Sequence, residues 1–223
     1  MRDSNKEIKV ITSGILSDQE IKKRLKKDLI VYPYLDRNIE AKEAKLDIRL
    51  GGTFYEIQQR GVGAYDTIED PPLDYLREII LPPGRPYILH PHVLVLAQTF
   101  ENISMPNDLI GLLQGRSSLG RLGVIVHATA GFIDPGYKGI ITLELSNLGH
   151  LPVKLYPLQR VATIGFIMIY GKVEAPYGSQ PKHLPFEQNC NGKYKSMKTE
   201  ASKINKDWET DILKFLRDTL EKN

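Results

Sequence analysis

The sequence predicts an all-β fold: a jelly-roll barrel with one short helix in front of it and one amphipathic helix behind. Three observations carry this. Between Ile79 and Gly171, short apolar runs alternate with the turn signals PPGRP, MPND, DPGYKG and LGHLP, at spacings typical of a sandwich or barrel. The stretch KLDIRLGGTFYEI sets Leu46, Ile48 and Leu50 against Asp47 and Arg49, the period-two pattern of a half-buried strand, before Gly51 and Gly52 bend it. The chain has 223 residues, 41% hydrophobic and 26% charged, a soluble composition and a length that one large all-β domain fills.

Residues 1–14 are an extension ahead of the domain. Ser17 and Glu20 form a capping box, and Ile21 and Leu25 recur at helical spacing, so SDQEIKKRLKK is a short amphipathic helix that braces the barrel. The β domain spans 15–173. Residues 174–206 hold few apolar side chains and read as an extended tail. Trp208, Ile212, Phe215, Leu216 and Leu220 then mark an amphipathic helix over 207–223. There is no internal repeat.

Composition excludes several function classes. No run approaches the roughly 18 apolar residues of a membrane span. MRDSNKEIKV lacks the apolar core of a secretion signal, so a cytoplasmic location is expected and no membrane partner. The single cysteine, Cys190, makes neither an internal disulfide nor a cysteine metal cluster, in keeping with a reducing compartment. A net charge of +3, with both signs interspersed, is too mild to predict a nucleic-acid partner, whereas an anionic small molecule fits. Zinc-dependent base deaminases need His-x-Glu and Pro-Cys-x-x-Cys segments, and both are missing. His90, His92, His127, His150 and His183 lack metal-ligand spacing, so no zinc is expected. Neither GxGxxG nor a Walker loop is present.

The polar residues concentrate instead in two motifs between β-branched runs. In GRSSLGRLG, Gly115 permits close backbone approach, Arg116 offers a bidentate fork, and Ser117 and Ser118 add donors where a helical turn begins. Arg121 follows Ser117 at the i+4 spacing. This is either an anion cradle or a capped surface turn with solvated arginines. AGFIDPGYKG reads as a tight hairpin, with Pro135 and Gly136 at the turn and Gly131 and Gly139 at its base. There Tyr137 would offer an aromatic face to a sugar and Asp134 a carboxylate to a hydroxyl. Glu144, in GIITLELSN, shares a strand face with Thr142 and Ser146. It is either a carboxylate on a solvated face or one in an apolar pocket, poised to take a proton from water.

Together, GRSSLGRLG and HATAGFIDPGYKGIITLELSN resemble the signature of the dCTP deaminase family, in the trimeric dUTPase-like superfamily. LDIRLG, LHP, LPVKLYPLQRVATIGF, GKY and ASKINKD extend the resemblance over roughly Ile15 to Asp207. It implies a dUTPase-like β-clip and hydrolytic deamination of dCTP to dUTP and ammonia, with no metal at the base. It also implies Mg²⁺ bound through the nucleotide phosphates, and a homotrimer with its sites between subunits. Carried over residue by residue, Glu144 matches the glutamate that activates water. Ser117, Arg121 and the Ala130 carbonyl match the groups that position the water and the glutamate. Arg116 and Ser118 match phosphate contacts, and Asp134 and Tyr137 fit the deoxyribose.

In the family the tail closes over the triphosphate as a lid, offering a Tyr, a Lys and a Gln. Counting from KY, this chain has Phe186, Lys193 and Met197 there, so only the lysine is kept. Gly131 and Phe132 in TAGFIDPG resemble the bifunctional branch, which takes dCTP through to dUMP, ammonia and pyrophosphate. The altered tail keeps two other readings open, a dUTPase-only enzyme and a non-catalytic nucleotide-binding protein.

Overall fold

A computed structural model of the chain describes residues 13–35, 41–58, 61, 63, 76–129 and 131–179. The elements run β1 (Gly14–Ile15), α1 (Asp18–Lys27), β2 (Ile30–Tyr32), β3 (Ala41–Lys42), β4 (Lys45–Ile57), β5 (Leu76–Ile80), β6 (Tyr87–Leu89), β7 (Leu94–Ser104) and β8 (Leu109–Gly115). They continue through α2 (Ser117–Gly120), β9 (Val124–Ile125), β10 (Phe132–Ile133), β11 (Lys138–Asn147), β12 (Val153–Leu155) and β13 (Arg160–Met168). The all-β prediction holds. One large antiparallel sheet runs in the order β10-β8-β13-β4-β7-β11-β9, and β6 and β12 form a separate pair.

The long strand β4 makes the sheet curl. Its first half, around Leu46 to Arg49, pairs with β13, while its second half, through Glu56, pairs with β7 and β5. The change of partner falls at Gly51, where an added Cβ would lie 2.9 Å from the Gln98 carbonyl oxygen. Only glycine lets the two backbones approach that closely. Leu46, Ile48, Leu50 and Phe54 of β4 are fully buried, as are Leu143, Leu145, Ile164 and Phe166 from β11 and β13. The Phe54 ring stacks on Tyr87 at 4.5 Å between centroids.

Period-two alternation misjudged one side chain. Arg49 falls on the polar side of the pattern, yet its side chain is 10% exposed, and it meets a Glu101 side chain that is 1% exposed. The Arg49 backbone N–H donates to Glu101 Oε2 at 2.9 Å, and Nη1 reaches Oε1 at 3.5 Å. Burial pushes the Glu101 carboxyl up to about 7 despite the neighbouring guanidinium.

Helix α1 starts where the capping box places it, with the Glu20 N–H donating to Ser17 Oγ at 3.4 Å. Ile21 is buried and Leu25 packs against the core. Arg24 adds a brace that amphipathic spacing does not reveal. Its Nε donates to Asp28 at 2.6 Å, and its Nη1 donates to Asp108, at the turn into β8, at 3.0 Å. The Arg24 guanidinium holds Asp108 below the usual carboxylate range. Arg24→Ala is expected to lower stability by about 1–2 kcal/mol, since both carboxylates stay partly hydrated. An unchanged urea midpoint would show that the brace contributes nothing.

The DPGY turn forms, but it is not a hairpin. The Tyr137 N–H donates to the Asp134 carbonyl at 3.1 Å, with Gly136 at φ +79°. The flanking strands separate, β10 pairing with β8 and β11 pairing with β7 and β9. Gly111 on β8 gives the physical reason, because a Cβ there would come within 3.1 Å of the Ile133 side chain. The bare backbone of β8 therefore seats β10. Packing also continues past residue 173: the Tyr177 N–H donates to the Pro135 carbonyl at 2.8 Å. The rest of the expected tail, from residue 180, and the expected C-terminal helix lie outside the described residues. No helix among the described residues is long and apolar enough to cross a membrane.

Candidate active site

Glu144 occupies the position that alternation gave it. Thr142, Glu144 and Ser146 share the half-buried face of β11, while Leu143 and Leu145 point into the core. Its carboxylate is held by the segment after β9. The backbone N–H groups of Ala128 and Thr129 donate to Oε2 at 3.1 and 3.2 Å, and the Thr129 hydroxyl lies 3.2 Å from the same oxygen. A partly exposed carboxylate fixed by three donors keeps lone pairs for a proton and a set direction for them. Beside it, both ring nitrogens of His127 are buried without a hydrogen-bond partner among the described residues.

The RSSLGR segment forms the helical turn the sequence implies. Ser117–Gly120 is α2, and the Arg121 N–H donates to the Ser117 carbonyl at 3.0 Å. Ser117, Ser118 and Arg121 are exposed, and their side chains make no hydrogen bond or ion pair among the described residues. Arg116 is anchored differently. Its backbone N–H donates to the Val161 carbonyl at 3.0 Å, and Nη1 donates to Asp47 Oδ1 at 2.9 Å. Arg160, at the start of β13, reaches the other oxygen of Asp47 at 3.4 Å.

Asp134 is exposed at the turn, and Phe132 is 62% exposed beside it. Tyr137 differs from expectation. It is 8% exposed and part of the core, its hydroxyl donating to the Ile140 carbonyl at 2.6 Å and its ring meeting Tyr177 at 5.2 Å. Burial pushes its phenol well above the usual range. The open aromatic face expected there is largely covered, because Pro176 and Tyr177 fold over Gly136.

The structure thus brings Arg116, Ser117, Ser118 and Arg121 into one turn after β8 and holds Glu144 on β11, a strand that does not pair with β8, with no hydrogen bond between Glu144 and Ser117 or Arg121. Ala130, Phe186, Lys193 and Met197 lie outside the described residues. Sequence reasoning missed Asp47, Arg160, Thr129 and Tyr177. The first two lie inside LDIRLG and LQRVATIGF, but only strand pairing makes them neighbours of Arg116.

The site is thus a curled antiparallel β-fold that carries a serine- and arginine-rich turn and a backbone-held carboxylate. The chain belongs to the dCTP deaminase-like family, whose model matches residues 15–169. It is 40% identical over 196 residues to a Dictyoglomus turgidum protein named dCTP deaminase, dUMP-forming, covering 87% of this chain and 96% of that one. It is 45% identical over 168 residues to a Haloarcula marismortui dCTP deaminase, covering 74% of this chain and 86% of that one. Among solved structures it is similar to the 2′-deoxycytidine 5′-triphosphate deaminase from Agrobacterium tumefaciens, with a TM-score of 0.57 and 26% identity. That match covers 71% of this chain and spans about half, 49%, of the solved chain.

Proposed function

We propose that this chain deaminates dCTP by hydrolysis, and that Glu144 is its general base. Glu144 takes a proton from water as the oxygen attacks C4 of cytosine, then returns protons to N3 and to the departing amine. One dCTP and one water give dUTP and ammonia. The observation that carries the reading is the Glu144 carboxylate, held by the Ala128 and Thr129 amides on the half-buried face of β11. Ser117 and Arg121 position water and base, and Arg116 and Ser118 take phosphate oxygens. Asp134 meets the deoxyribose, with Tyr137 supporting that turn from beneath.

As the resemblance to the dCTP deaminase family implies, the reading includes a homotrimer in which one subunit's turn completes another's carboxylate site. Among the described residues no three His, Cys, Asp or Glu side chains gather into a metal-holding group. The donors of the turn suit phosphate, so Mg²⁺ would be held by the nucleotide's own phosphates, where it neutralises charge.

A second reading is favoured by the 40%-identical relative named as dUMP-forming. In it, a second water attacks the α-phosphorus, and dCTP with two waters gives dUMP, ammonia and pyrophosphate. Incubation with dCTP and Mg²⁺, followed by ammonia release and chromatography, tests both. Ammonia with dUTP is the first outcome and ammonia with dUMP and pyrophosphate the second. No ammonia would overturn the proposal.

A further inference from the structure

We infer that Arg160 is a second phosphate-binding residue, acting beside Arg116, and that Asp47 is the positioning residue that holds both guanidiniums. The inference rests on the nucleotide-binding reading of the RSSLGR turn and extends it to a strand that the turn does not contain. Arg116 reaches Asp47 Oδ1 at 2.9 Å and Arg160 reaches Oδ2 at 3.4 Å. The two arginines are also joined through the backbone, since the Arg116 N–H donates to the carbonyl of Val161, next to Arg160. Both parts of the chain are therefore rigid supports, one on β13 and one at the end of β8.

Charge and exposure indicate what the cluster is built to meet. Two cations share one anion, leaving a local surplus of positive charge. The Asp47 side chain is 13% exposed, whereas Arg116 and Arg160 are 35% and 32% exposed. The carboxylate thus sits behind and the guanidiniums in front. Each guanidinium has five N–H donors, and the carboxylate uses one of them on each. A pair of forks held side by side with donors to spare fits a chain of phosphates, which carries several negative charges and many acceptor oxygens. The exposed hydroxyls of Ser117 and Ser118 follow Arg116 directly and add donors on the same side of the sequence.

Isothermal titration with inorganic tripolyphosphate tests this without relying on catalysis. Wild-type protein is expected to bind it, and Arg160→Gln to weaken binding about tenfold or more, with a smaller dependence on salt. Arg160→Lys keeps the charge but not the fork, and is expected to lose about threefold. It carries the test if Arg160→Gln does not fold. In an Asp47→Asn background, Arg160→Gln should cost clearly less than in wild type, because the common anchor is already gone. Wild-type affinity in both Arg160 variants, or no tripolyphosphate binding by wild-type protein, would overturn the inference. Equal cost of Arg160→Gln in both backgrounds would overturn the role of Asp47. Arg160-dependent binding in a protein that releases no ammonia from dCTP would instead sink the deaminase reading and leave this one standing.

Discussion

Glu144→Gln protein is expected to fold and bind dCTP normally while releasing ammonia about 10²–10⁴-fold more slowly. The amide is nearly isosteric with the carboxylate, and its Oε1 can still accept from the Ala128 and Thr129 N–H groups that hold Glu144 at 3.1 and 3.2 Å. Position is therefore preserved, and what is lost is the capacity to take a proton from water. Because the residue is half-buried on a strand whose other face forms the core, the substitution opens no cavity. The measurement is single-turnover ammonia release beside dCTP binding by calorimetry. Turnover within tenfold of wild type would remove Glu144 from the mechanism. Loss of binding along with turnover would make it a structural residue.

The second large effect concerns stability at Glu101. Above about pH 7, where Glu101 is ionised, Glu101→Ala should cost about 3–5 kcal/mol, since it leaves the buried Arg49 guanidinium without this carboxylate deep in the sheet. A pH dependence follows from the same site. Burial raises the folded-state pKa of Glu101 from the ordinary 4.5 to about 7, so between these values the folded chain keeps a proton that the unfolded chain gives up. Stability contributed by this group is full below about pH 4.5, falls as pH rises to about 7, and is level above. Asp108 acts the other way in a lower window: its depressed pKa contributes stability that is lost only as pH falls below the usual carboxylate range. Thermal melts of wild type and Glu101→Gln from pH 4.5 to 8 separate the two. The variant should lose the decline in that upper window, and an identical slope in both proteins would show that Glu101 does not titrate there.

Much of this protein was legible in one dimension. The capping box at Ser17 sets the start of α1, the alternation over 45–57 matches β4, and the Asp134-Pro135-Gly136-Tyr137 turn has the geometry its residues demand. These follow from local physics, because capping, alternation and turn preference act over two to four residues. That Glu144 shares a strand face with Thr142 and Ser146 was legible for the same reason.

What tertiary structure alone decided is which distant residues meet. Asp47 lies 69 residues from Arg116 and 113 from Arg160, and Glu101 lies 52 from Arg49. No periodicity reports such pairs, since they depend on strand order and on register shifts at the bulges of β4 and β13. Arg49 looked solvated because alternation assigns a face without saying what covers it. Tyr137 looked open because the turn was taken for a hairpin, when Gly111 draws β10 onto β8 and Tyr177 closes over the ring. Local chemistry determined the elements and their polar residues; the curl of one sheet decided which of those residues stand together.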